Sequence, residues 1–130
     1  MRRFHLAIGA LGVIAFLITG QFMRHHTPPL LTMSDGARLM FRSRHIYILG
    51  GGLVNLMLGL YLQRHAAGWR RGAQTLGSVL LLAAPLLLTL AFVVEPGAGF
   101  QGEMPWSHTG LYVLFGGSML HLACGPVGSH

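Results

Sequence analysis

Lysine is missing from this chain: all nine basic side chains among its 130 residues are arginines. Carboxylates are nearly missing as well, with Asp35, Glu95 and Glu103 the whole set. Charged residues therefore make up 9% of the chain, against roughly 25% in a soluble domain, which leaves too little polar surface to face water on every side. One cysteine, Cys124, excludes an intrachain disulfide and any CxxC metal or redox motif, so the fold must stand on packing. Three carboxylates allow at most one acid–base pair, Glu95 with Glu103, and acidic groups at a helix end are ordinarily just solvated. No Ser/His/Asp arrangement is discernible, and no glycine-rich phosphate loop follows a strand, because the pattern contains no strands.

What the chain has in excess is apolar sequence, 52% of its residues. The excess lies in four stretches: Leu6 to Met23, Ile46 to Leu62, Leu76 to Val94, and Leu111 to Cys124 with its lead-in Ser107 to Gly110. A bilayer core of about 30 Å needs roughly 20 helical residues and tolerates about 17, so the first three qualify outright and the fourth qualifies with its polar lead-in. The expected fold is an all-α integral membrane protein. Its single domain, 1–130, has four transmembrane helices at approximately 5–23, 44–63, 75–95 and 107–124, in an up-down-up-down bundle with short loops. The first stretch follows Arg2 and Arg3 like a signal peptide. It is longer than the usual apolar region of about 7 to 15 residues, however, and Gly20-Gln21-Phe22-Met23 offers no small-x-small cleavage site, so it reads as a retained helix.

Arginines confined to short loops beside apolar spans read as interface anchors, not as a nucleic-acid surface. The N-terminus and second loop carry Arg2, Arg3, Arg64, Arg70 and Arg71, while the first loop carries Arg24, Arg38, Arg42 and Arg44. That one-residue excess places both termini in the cytoplasm, with a bacterial inner membrane as the expected location. Thr27-Pro28-Pro29 blocks continuation of the first helix. Ser34-Asp35-Gly36 signals a turn or helix start, and Leu30, Leu31 and Met33 between them suit a short interfacial segment. Pro85 is expected to kink the third helix. The tail Gly125 to His130 carries no weight in the fold reading.

Gly51, Asn55 and Gly59 recur every four residues in the second helix. They read as a packing seam where backbones approach closely and an amide bonds across to a neighbour; Gly9, Gly12, Gly116 and Gly117 read the same way. The alternative is a ligand or partner helix in that groove.

Eight histidines form two sets by topology: 25, 26, 45 and 108 toward loops one and three, and 5, 65, 121 and 130 toward the other side. Imidazole is the commonest metal ligand and an axial haem ligand. A di-haem arrangement fails on geometry. His108 and His121 are thirteen residues apart, about 140° around their helix, and His45 and His65 stand about 30 Å apart along theirs. A single haem b between His45 and His108, or between His65 and His121, survives. His121 is the most notable residue because it lies within an apolar run, where an ionisable group usually has a partner; Asn55, Ser118 or a backbone carbonyl would serve. A surface metal site, best suited to copper, would draw on Met23, His25 and His26 with Met33, Met40, Met104 and His108, although adjacent His25 and His26 cannot easily share one metal on a helix.

Arg38, Arg42 and His45 follow the i, i+4, i+7 pattern and share a helix face, with Arg44 to the side. Such a face suits a snorkelling anchor, or else a lipid phosphate, a quinone, a haem carboxylate or an acidic partner; Trp106 and Tyr112 are candidate interface aromatics nearby. Three functions follow. The favoured one is a non-enzymatic accessory or assembly subunit of a larger membrane complex, with membrane lipids and other membrane subunits or a second copy as partners. The alternatives are a haem b or quinone electron-transfer subunit with paired histidines and, behind it, a His/Met metal-binding membrane protein.

Overall fold

A computed structural model of the chain describes residues 1–62, 68–98 and 104–124. Four α-helices account for nearly all of them: α1 (Arg2–His25), α2 (Asp35–Tyr61), α3 (Trp69–Val94) and α4 (Pro105–Ala123), with short 3-10 turns at Leu30–Thr32 and Glu95–Ala98. No strand occurs among the described residues. Two helices, α1 and α3, are long and apolar enough to cross a membrane. In α2 the basic start and Asn55 lower the apolar content, and in α4 Ser107, His108, Ser118 and His121 do so.

The boundaries follow local chemistry. The helix-start signal at Ser34 holds: its side chain accepts from the Ala37 N–H at 3.4 Å, and Asp35 sits in the first turn where the helix dipole favours a negative charge. α2 thus begins nine residues before the expected span, so Arg38, Arg42, Arg44 and His45 are all helical. Gly68 has φ +83°, a left-handed conformation that favours glycine, and α3 starts directly after it. Pro105 opens α4 at a position whose N–H would have no helical partner.

Consecutive helices run antiparallel. Near the start of α1, Arg2 donates to the Gly59 and Leu60 carbonyls at the end of α2, at 3.2 and 2.9 Å, filling acceptors that the helix terminus leaves open. At the other end of the pair, Thr19 bonds His45 at 2.9 Å. α1 packs most extensively on α2, and α3 on α4, with α2 and α3 joining the two pairs.

Glycine permits the close approaches. A Cβ on Gly12 would lie 2.8 Å from the Gly52 Cα, and one on Gly117 would lie 2.9 Å from the Gly77 carbonyl oxygen. The expected seam of Gly51, Asn55 and Gly59 divides between two neighbours. Gly51 faces Pro85 and Leu88 of α3, whereas Gly59 faces Leu6 of α1. Four residues advance a helix by about 400°, so a four-residue repeat drifts about 40° per step and crosses from one neighbour to the other. Gly116, by contrast, faces open space.

Phe41, Ile48, Leu88 and Phe92 form the apolar core of the half nearest the two 3-10 turns. The outside of the bundle is apolar on all four helices: Phe4 and Leu17 of α1, Ile46 and Met57 of α2, Leu86 and Val93 of α3, and Phe115 and Leu122 of α4 are all exposed. Several of the polar side chains are inside. His5, Arg44, Asn55, Gln74, Ser78, Glu95 and Ser107 are buried.

Candidate functional site

The most connected of these buried groups begins with Pro85. Proline has no N–H, so in the middle of α3 it leaves the Leu81 carbonyl without its helical donor. Asn55 fills that vacancy from α2: its Nδ2 donates to the Leu81 oxygen at 2.7 Å and to the Gly51 oxygen at 2.9 Å. With Nδ2 so engaged, Oδ1 is the acceptor in the 2.7 Å bond to His5 Nδ1. His5 must therefore donate from Nδ1, which makes the neutral ring the Nδ1–H tautomer and leaves a bare lone pair on Nε2. That nitrogen is buried without a partner, in a residue with 0% exposure. One amide thus joins three helices and fixes the proton position on a histidine.

His121 of α4 completes the cluster. Its ring centroid stands 6.5 Å from that of His5, nearly perpendicular to it, and its Nε2 lies 3.1 Å from Ser78 Oγ on α3. Ser78 also borders a half-open cavity of about 230 Å³ lined by Met1, Leu62, Arg71, Gln74, Thr75 and Ser78.

A second buried cluster lies at the opposite end of the bundle. Arg44 Nε donates to Glu95 Oε2 at 2.7 Å, and Arg44 Nη1 donates to the Met40 carbonyl at 3.2 Å. The Ser107 backbone N–H donates to Glu95 Oε1 at 2.9 Å, and its hydroxyl donates to Oε2. Glu95, just beyond α3, therefore clamps α2 to the first turn of α4 and is only 2% exposed, not the solvated helix-end carboxylate expected from sequence. Burial pushes its pKa up, but the Ser107 bonds and the Arg44 guanidinium outweigh burial and hold the carboxyl below its ordinary value.

The structure redistributes the residues singled out from sequence. His121 is in the cluster just described, and Asn55 is its centre. His45 stacks on Phe16 with centroids 4.0 Å apart and bonds Thr19, whereas His108 is exposed beside Tyr112, so these two histidines are not brought together. His65 and Glu103 lie outside the described residues. Arg38 pairs with Asp35 on the surface and Arg42 is exposed; the buried arginine is Arg44, which the i, i+4, i+7 face left to the side. His25 bonds the Gln21 carbonyl at 3.0 Å, His26 bonds the Pro28 carbonyl at 2.9 Å, and Met23 packs on the apolar core, so each has its own local role.

Sequence reasoning missed His5 as a site residue. The available signal was its place on the same side as His121, one helix away from Asn55. Chemically, the His5–His121 pair offers two imidazoles. Among the described residues, no group of three His, Cys, Asp or Glu side chains converges on a metal position. The cavity bordered by Ser78 falls below the roughly 300 Å³ at which drug-sized ligand pockets begin, too small for a porphyrin. Comparison of the chain with protein-family models, with curated proteins and with solved structures finds no match.

Proposed function

We propose that this chain is a four-span integral membrane protein that acts without chemistry of its own, as an accessory or assembly subunit of a larger membrane complex. The observation that carries the reading is the inverted polarity of the bundle. Large apolar side chains of all four helices point outward, while Asn55, His5, Arg44, Glu95 and Ser107 are buried and bonded between helices. In water that exterior is unfavourable, whereas in lipid it needs no cover, and interior polar bonds hold helices together where no hydrophobic force between them exists. α2 and α4 then span as parts of the bundle, with Arg44, Asn55, Ser107 and His121 turned toward neighbouring elements. The non-enzymatic part rests on the interhelical bonds these groups make; among the described residues His5 Nε2 and Arg44 Nη2 are buried without a partner.

Two measurements test this. Alkaline carbonate extraction should leave the protein in the membrane pellet, and release into the supernatant would refute the membrane reading. In mild detergent the 14.1 kDa chain should migrate in an assembly larger than one copy, and a strictly monomeric particle extracted from its native membrane would count against the subunit reading.

A second reading rests on the unpartnered Nε2 of His5. With His121 nearby, that lone pair is a ligand position, and two imidazoles suit a single metal ion such as copper. Oxidised and dithionite-reduced absorption spectra with metal analysis separate the readings. The accessory reading expects no Soret band and no stoichiometric metal. A metal lost from both His5→Ala and His121→Ala would favour the second.

A further inference from the structure

The two ends of the bundle differ in charge. At the end formed by the starts of α1 and α3 and the ends of α2 and α4 stand Arg2, Arg3, Arg70 and Arg71, with no carboxylate among the described residues there. Asp35 and Glu95, the two described carboxylates, lie at the opposite end. The basic end also holds the 230 Å³ cavity. Gln74 and Ser78 are buried at its inner part, while Arg71 and Thr75 are exposed toward its mouth. Residues 71, 74, 75 and 78 follow the i, i+3, i+4, i+7 pattern, so a single face of α3 carries the guanidinium and the amide, while the Thr75 hydroxyl donates to the Arg71 carbonyl at 2.8 Å and the Ser78 hydroxyl bonds His121. On the other side of this turn of α3, Trp69 is 70% exposed, with the Arg70 guanidinium 5.9 Å from its ring centroid. An exposed tryptophan among arginines at the end of an apolar bundle is the arrangement found at headgroup depth.

We propose that this cavity seats the phosphate of an anionic phospholipid, with Arg71 as its main ligand and Gln74 lining the inner wall. The inference rests on the four-span membrane reading. A guanidinium offers several donors in a plane and pairs with phosphate oxygens in a bidentate fashion, which a point charge does not. A cavity of this size, below that of a drug-sized pocket, suits a headgroup phosphate whose acyl chains run along the apolar exterior. No described carboxylate stands at this end, whereas at the other Asp35 and Glu95 engage two of the four arginines there, and basic pockets between helices at a membrane face are suited to anionic headgroups.

The test uses the full chain in mild non-ionic detergent, titrated with phosphatidylglycerol or phosphatidylcholine, with bound lipid counted by native mass spectrometry. One phosphatidylglycerol per chain should bind about tenfold more tightly than phosphatidylcholine. Arg71→Gln should bring it down to the phosphatidylcholine level, Arg71→Lys should retain part of the preference, and Arg24→Gln at the opposite end should leave it intact. Unchanged helicity of Arg71→Gln establishes that its fold survives. Equal retention of the two lipids, or wild-type retention by Arg71→Gln, overturns the proposal. So does displacement of phosphatidylglycerol by millimolar inorganic phosphate, which would assign the cavity to a free anion. Carbonate extraction separates the two levels: a chain that stays in the membrane pellet but shows no lipid preference refutes this inference alone.

Discussion

Replacing Asn55 with leucine is the sharpest perturbation of the bundle, because the amide compensates for a proline on another helix. Its loss leaves the Leu81 oxygen with no donor, since Pro85 has no N–H, and leaves His5 Nδ1–H with no acceptor. The Gly51 oxygen is unaffected in kind, because it lies one turn before residue 55 and keeps that residue's backbone N–H. Two interhelical bonds are therefore lost. Such bonds average about 0.6 kcal/mol in a membrane bundle and reach about 1.7 kcal/mol. An acceptor that cannot find a substitute belongs at the upper end, because an unsatisfied buried group costs about 1–3 kcal/mol. The expected destabilisation is about 2–4 kcal/mol, read from reversible unfolding in mixed micelles followed by circular dichroism. The discriminating step is the double variant. Pro85→Ala supplies a backbone N–H to Leu81, so in the Asn55→Leu background it should recover about 1–2 kcal/mol that it does not contribute in wild type. Additivity of the two substitutions within about 0.5 kcal/mol would refute the argument that Asn55 stands in for the missing proline donor.

Arg44→Met should cost about 3–5 kcal/mol, since it leaves Glu95 buried without its counter-ion, and adding Glu95→Gln should restore much of that loss; unfolding of the two variants checks both signs. Because Glu95 titrates below its ordinary value in the folded chain, its contribution to stability is fully present well above that value. It should fade as pH falls through the lower, folded-state value, and Glu95→Gln should flatten this part of the acid unfolding profile. Gly12→Val should cost about 1–3 kcal/mol or block close α1–α2 packing, because its side chain meets the Gly52 backbone, whereas Gly116→Ala, facing open space, should be neutral or stabilising by up to about 1 kcal/mol. Thermal melts in the same detergent compare the two.

Helix number and order were legible because four long apolar runs separated by Pro, Gly and Arg clusters leave few other solutions, and the Ser34 helix start was legible from its cap chemistry. The extension of α3 back to Trp69 was not, because Trp69 to Gln74 is polar and its helicity follows the Gly68 turn, not an apolar period. Within the candidate site, Asn55 and His121 stood out as polar residues in apolar runs. His5 did not, because near a chain terminus a histidine reads as a solvated interface residue until the angle of α1 against α2 is known. Arg44 was hidden for a related reason: helical periodicity groups residues on one helix, while its partner Glu95 is 51 residues away and only packing brings them together. The Gly51, Asn55 and Gly59 repeat was visible, but its division between two neighbours depends on the drift of a four-residue repeat around the helix.

The central claim, that the bundle turns its apolar exterior to lipid with its two ends on opposite sides of a membrane, is tested most directly by sided labelling. Single cysteines at Ser34 and Gly68, introduced in a Cys124→Ala background, are exposed to a membrane-impermeant maleimide in sealed, oriented vesicles. The four-span account expects one position to label from outside and the other only after the vesicles are opened. Labelling of both positions from the same side would contradict it.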